Sequence, residues 1–361
     1  MYKTNNKEAD LLLNLIRATL KGEPLQKVDG ADMNALLELA NRQQVYNLVL
    51  PLLEQKKMLT DAEYKSWRNY KLSEITKTLT INNERKAVCE KLEEQGIDYM
   101  FLKGLVIRDY YPKSSMRQMS DNDIMFDASR ADDLIKIMKA QGFYLASAGG
   151  ATYDFGKPPC TIEFHRTLFI KKEQYDFELD PWLRAKRIDD THQFAMDSDD
   201  NLIYSLCHMY KHYVGGGCGI RFLCDTYVLL NGGEYDFDYI NPTLERFNIA
   251  DFSKTVFNLV DVVFNDKEPG EDEKALLCVM LGDTVFGKTL TVEDKINQSG
   301  GRFKYLLERI FPSKKIMFGT YQKLNSAPYL LPYYYMVRLH DRWKYNRNKV
   351  KSELRQIQKK D

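Results

Sequence analysis

Three aspartate pairs have Asp-x-Asp spacing, namely Asp121/Asp123, Asp197/Asp199 and Asp236/Asp238, and only the first runs into an apolar stretch, Ile124-Met125-Phe126. On a β-strand, residues i and i+2 point to the same side, so Asp121 and Asp123 are expected to face one site. Two adjacent carboxylates repel. A hard dication such as Mg²⁺ makes the arrangement favourable, because it takes oxygen ligands and keeps waters that a phosphate can displace. Ser120-Asp121-Asn122-Asp123 also has a purely structural reading, as a turn leading into a strand. Further on, Thr161-Ile162-Glu163-Phe164-His165 reads as a second strand with Glu163 and His165 on one face. If the two strands are neighbours, Asp121, Asp123 and Glu163 are the expected metal ligands. Taken singly, Glu163 reads as an edge-strand carboxylate and His165 as a hydrogen-bonded strand-end histidine.

Upstream, Tyr99-Met100-Phe101-Leu102 runs into Lys103-Gly104 and then a short helix, Leu105 to Tyr110. A turn at a helix N-terminus offers unpaired N–H groups to an anion, and Gly104 allows a phosphate to approach closely. Lys103 adds a point charge. Arg117 lies four residues before Asp121, and its guanidinium can grip two phosphate oxygens at once. The competing reading is that Lys103 and Arg117 only neutralise the acidic turn. His208 and His212 have the i, i+4 spacing of a zinc pair, but Met209 stands where a His-Glu-x-x-His motif carries its glutamate. A pair facing a substrate cleft, or packed between domains, is expected instead. The Tyr333-Tyr334-Tyr335 triplet is read as core in preference to a stacking platform.

Positioning these residues requires a sheet, and the chain changes character where one would begin. Residues 1–96 read as helices. Thr60-Asp61-Ala62-Glu63 has the form of a capping box, Tyr64, Trp67, Ile75, Leu79 and Leu92 recur as one buried stripe, and Gly96 ends the helix. Asp10 to Leu20 and Asp32 to Leu53 have similar periodicity, with Pro51 as a kink or end. Residues 97–190 read as an α/β unit with strands at Asp98 to Leu102, Asp123 to Phe126, Tyr144 to Ala146, Ala151 to Phe155 and Thr161 to His165. A helix capped by Ser129 and stopped at Gly142 lies among them. In residues 191–361 helices return, at Asn201 to Tyr213, Ile220 to Leu230, Phe252 to Phe264 and Asp272 to Leu281.

The 361 residues are 44% hydrophobic, enough for a real core. Lys and Arg total 52 against 51 Asp and Glu, so net charge draws the chain neither to an anionic membrane nor to a long nucleic acid. The last 21 residues, with eight basic side chains against three acids, read as a solvated helix, with a polyanion-contacting tail as the alternative. Six cysteines without a C-x-x-C pair predict reduced thiols. The start shows no secretory leader and no stretch reaches the ~18 apolar residues of a membrane span, so a cytoplasmic protein is expected.

The ordered set of motifs resembles a bacterial family of uncharacterised nucleotidyltransferases within the DNA polymerase β-like superfamily. The set comprises a strand, Lys103-Gly104, Tyr111-Pro112, Arg117 to Asp123, Glu163 and His165, His208 and His212, and Arg221 to Asp225. The resemblance implies an α+β fold in which a small mixed β-sheet is flanked by N-terminal and C-terminal helical domains. It implies that Asp121, Asp123 and Glu163 hold two Mg²⁺ ions, with Lys103, Gly104, Arg117 and His165 toward the nucleotide. A nucleoside monophosphate would pass from a nucleoside triphosphate to an acceptor hydroxyl on a small molecule or protein, releasing pyrophosphate. The wider superfamily usually has Gly-Ser where this chain has Lys103-Gly104. The alternative function is a nucleotide- or protein-binding module of the same fold without turnover.

Overall fold

The computed structural model describes residues 4, 6–26, 29–119, 122–149, 151–169, 179–215, 218–282 and 327–345, with isolated positions between 311 and 324. Twelve α-helices and one seven-stranded mixed sheet are present among these residues, an α+β fold. Asp121 lies outside them.

The five apolar runs form β1 (Tyr99–Phe101), β2 (Asn122–Phe126), β3 (Tyr144–Gly149), β4 (Thr152–Lys157) and β5 (Cys160–His165). Two further strands, β6 (Lys186–Arg187) and β7 (Gln193–Ala195), add to those expected from the sequence. The sheet order is β3-β4-β5-β2-β1-β7-β6. β2 runs antiparallel to β1 and parallel to β5, and β7 adds to β1 in parallel.

Alternation along β2 sorts its side chains between two cores. Ile124 and Phe126 join Phe155, Ile162 and Phe164 in a cluster with α4 (Asp61–Glu94) and α6 (Ala131–Ala140). Met100 and Met125 face the other way, into a larger cluster. That cluster joins α1 (Lys7–Lys21), α2 (Met33–Arg42) and α3 (Tyr46–Gln55) to α7 (Ser198–Val214), α8 (Ile220–Gly232), α9 (Phe237–Arg246), α10 (Ala250–Phe264) and α11 (Glu271–Gly282). Arg17 on α1 reaches Asp266 at 2.6 Å, tying the first helix to the connection between α10 and α11. Asn122 points to the α4 side and accepts from Arg85 at 3.0 Å, so Asp123, its neighbour, faces α7 and α8.

Helix ends are built as their local sequence dictates, with informative differences. The Thr60/Glu63 capping box is present at the start of α4. Trp67 and Leu92 on that helix are buried, but Tyr64, Ile75 and Leu79 are 39%, 47% and 58% exposed. At ~1.5 Å per residue α4 is about 51 Å long, more than either core can cover. Trp67 enters the larger cluster and Ile81, Val88 and Leu92 the smaller, leaving the span between them uncovered. The run from Asp32 to Leu53 divides at Gln43–Val45, where Gln44 turns left-handed (φ +55°) and Val45 N–H donates to Ala40 O at 2.9 Å. Pro51 sits inside α3 and does not end it. Asp127, not Ser129, supplies the cap before α6, accepting from Ser129 N–H at 3.0 Å and opening a 3-10 turn. Helix α9, with Pro242 in its interior, adds to the helices expected from the sequence.

The other two Asp-x-Asp pairs prove to be helix starts: Asp197 accepts from Asp199 N–H and caps α7, and Asp236 accepts from Asp238 N–H and caps α9. All six cysteines are free thiols, four of them buried. Tyr333, on the helix α12 (Leu331–Tyr345), is 61% exposed and not core. Of the basic C-terminal stretch, residues beyond 345 lie outside the described set. Among the described residues no helix is long and apolar enough to cross a membrane.

Candidate metal centre

Parallel pairing of β2 with β5 sets Asp123 directly beside Glu163, and His165, two residues on, projects from the same face. His165 Nε2 lies 2.9 Å from Asp123 Oδ1 and 3.8 Å from Glu163 Oε1. One ligand atom from each of the three falls within 4.8 Å of the others. On the next strand, Asp154 of β4 pairs with Glu163, so three carboxylates stand in a row across β2, β5 and β4. The buried Oδ1 of Asp154 has no hydrogen-bond partner. Asp154 was not among the residues expected at the site; its signal in the sequence is a carboxylate between the aromatic Tyr153 and Phe155.

Lys103 closes the site from the β1 side, at the turn into α5 (Gly104–Ile107). Its backbone is left-handed, φ +50° and ψ −125°, a conformation costing a non-glycine residue roughly 1–3 kcal/mol. Neighbouring backbone bonds hold it there: Leu102 N–H donates to Asp123 O at 3.0 Å and Ile107 N–H to Lys103 O at 2.9 Å. The sharp turn aims the side chain inward, and Nζ donates to Asp123 Oδ1 at 2.6 Å. Lys103 and His165 therefore share one carboxylate oxygen.

Arg117 is placed differently from an open phosphate clamp. Its Nε and Nη2 donate to the two oxygens of Asp225 on α8 at 2.8 and 2.7 Å, and the Tyr111 hydroxyl donates to Asp225 Oδ1 at 2.8 Å. Gly104 makes room for this guanidinium, since a Cβ there would stand 2.1 Å from Arg117 Nη1. Lys103, Gly104, Arg117, Asp123, Glu163 and His165 all line one cavity of about 410 Å³.

The charge balance of the centre follows from burial and proximity. Burial pushes the Asp123 carboxyl up, but the Lys103 ammonium and the His165 ring outweigh it and hold Asp123 well below the usual carboxylate range. Burial would lower Lys103; Tyr204, Asp123 and Glu163 around it raise it instead. Burial raises Glu163, with Asp123 alongside adding to the rise, and burial raises Asp154. Two carboxylates and an imidazole at this spacing are a donor set that fits a divalent cation.

The opposite wall comes from α7. Tyr204, His208 and His212 follow one another at intervals of four residues, one face of the helix, and all three line the cavity. The Tyr204 ring lies 6.0 Å from Lys103 Nζ, and the His208 and His212 ring centres are 4.6 Å apart. Among the described residues this histidine pair belongs to no group of three metal-ligating side chains.

Fold and site together define an α+β protein with a buried acid–histidine centre on one face of a mixed sheet. The chain belongs to the family described as uncharacterised nucleotidyltransferase, whose model matches residues 29–265. That span contains every site residue named above. No curated protein matches the chain.

Proposed function

We propose that the protein is a Mg²⁺-dependent nucleotidyltransferase of the DNA polymerase β-like kind, moving a nucleoside monophosphate from a nucleoside triphosphate to an acceptor hydroxyl. The observation that carries this reading is the side-by-side register of Asp123 and Glu163 at the floor of the cavity, within a chain of the nucleotidyltransferase family. Asp123 and Glu163, with Asp121, would hold two ions. Bound divalent ions supply charge stabilisation for the entering and leaving oxygens of an in-line displacement. The acceptor oxygen forms a bond to the α-phosphorus as the bond to the pyrophosphate oxygen breaks, and Glu163 takes the acceptor's proton. His165 positions the Asp123 carboxylate, and Lys103 turns its ammonium toward the phosphates. The acceptor is a small molecule or a protein side chain.

One observation favours a second reading, a nucleotide- or protein-binding module without turnover: Lys103 already compensates Asp123 at 2.6 Å. Thermal-shift titration with Mg²⁺ and a nucleoside triphosphate, followed by assay of pyrophosphate release in the presence of cell lysate as an acceptor source, separates the two. The transferase gives a metal-dependent rise in Tm that Asp123→Asn abolishes, and it releases pyrophosphate. A rise without pyrophosphate release identifies the binder, and a metal response unchanged in Asp123→Asn sinks the centre.

A further inference from the structure

Beyond the acid centre, the cavity has a second chemical character. The α7 face that starts at Tyr204 continues through His208 to His212, about 12 Å along the helix axis at ~1.5 Å per residue. Phe222 reaches in from α8 and completes an aromatic group, its ring centre 5.8 Å from His208 and 5.2 Å from His212. The lining of the cavity therefore combines the charged groups of Lys103, Asp123 and Glu163 with the flat rings of His208, His212 and Phe222.

These rings carry no charge at neutral pH. Burial drives His208 well below its ordinary range and His212 down to about 4, with Lys211 and Lys103 adding to the fall at His212. A neutral imidazole presents a π-face together with one N–H donor and one nitrogen acceptor. The hydroxyl of Ser205, beside Tyr204 in the chain, also lines the cavity; its Oγ is buried and without a hydrogen-bond partner. Flat faces with a few adaptable polar atoms are the chemistry that holds a nucleobase, through stacking and hydrogen bonds to its edge.

We infer that His208, His212 and Phe222 form the nucleobase subsite of the cavity, stacking the base of a nucleoside triphosphate whose phosphates lie at Asp123, Glu163 and Lys103. The inference rests on the nucleotidyltransferase reading and adds to it where the donor's base sits and in which direction the nucleotide lies. A nucleotide fits this combination because it is polyanionic at one end and a flat heteroaromatic at the other.

The test compares Mg²⁺-ATP with Mg²⁺-tripolyphosphate, which has the phosphate chain but no base, by calorimetric titration of the full-length protein. Wild type should bind both. His212→Ala and Phe222→Leu should weaken Mg²⁺-ATP roughly ten- to hundred-fold while leaving tripolyphosphate within about two-fold, the size expected for one lost base stack. His212→Phe, which keeps the flat face, should retain ATP affinity, and this keeps the test meaningful if an alanine variant folds poorly. Equal losses for the two ligands, or no loss for ATP, would overturn the subsite. Asp123→Asn should weaken both ligands together. Binding of neither ligand by wild type would overturn the transferase reading and the subsite with it, whereas tripolyphosphate bound as tightly as ATP by wild type would overturn the subsite alone.

Discussion

Arg117 and Asp225, 108 residues apart in the chain, meet as a buried two-pronged pair, Nε to Oδ1 at 2.8 Å and Nη2 to Oδ2 at 2.7 Å. The pair clamps the loop before β2 to α8, and so sets the acid strand against the helical wall of the cavity. Removing one partner strands the other as an uncompensated buried charge, so Arg117→Ala or Asp225→Ala should each lose about 3–5 kcal/mol of stability. Arg117→Lys should lose much of the same, because an ammonium cannot span both oxygens. The Arg117→Met/Asp225→Leu double variant should cost less than the sum of the singles. Urea denaturation midpoints decide this, and additive losses would show that the pair does not act as a unit.

Gly104 is needed for space at the same place. A methyl group there would meet Arg117 Nη1 at 2.1 Å and Cζ at 2.9 Å, so the guanidinium has to move. Gly104→Ala should cost roughly 1–3 kcal/mol in the wild-type background, the usual range for overpacking a tight site. In an Arg117→Met background most of that cost should vanish, a coupling that a double-mutant cycle measures.

Lys103 brings a positive charge to the carboxylates of the centre. In Lys103→Met the Asp123 carboxylate would face Glu163 and Asp154 without its 2.6 Å partner. The variant should melt below wild type in chelator and gain more Tm from added Mg²⁺, because an ion then supplies the missing charge. A Mg²⁺ response no larger than that of wild type would remove Lys103 from the charge balance of the site.

His212 should make stability depend on pH. Its folded value is about 4, set by burial with Lys211, Lys103 and Arg221 nearby, against about 6.5 for an unfolded histidine. Between those values the unfolded chain binds the extra proton, so stability present above pH 6.5 is lost as pH falls toward 4 and levels off below it. Solvent still screens a half-buried ring, so the loss assigned to His212 is about 1–2 kcal/mol. His212→Phe should flatten that part of the profile. Denaturation of both proteins at pH 7, 6, 5 and 4 isolates it as the difference between the two curves.

Local sequence determined more of this protein than its net charge suggested. Strand alternation singled out Asp123 on an apolar strand, and the capping chemistry of Asp197 and Asp236 explains why the other two pairs start helices. The capping box, strands β1 to β5 and most helices were legible because each depends on residues within a turn or two of one another. Tertiary structure decided the rest. Parallel pairing of β2 with β5 put Glu163 beside Asp123, antiparallel pairing of β4 added Asp154, and the packing of α8 gave Arg117 its partner in Asp225. It also left Ile75 and Leu79 in solvent, on a helix longer than the cores it joins. Periodicity records which face a side chain takes. Which strand or helix that face meets is settled by hydrogen-bond ladders and ion pairs between residues tens to more than a hundred positions apart, and no local pattern encodes those.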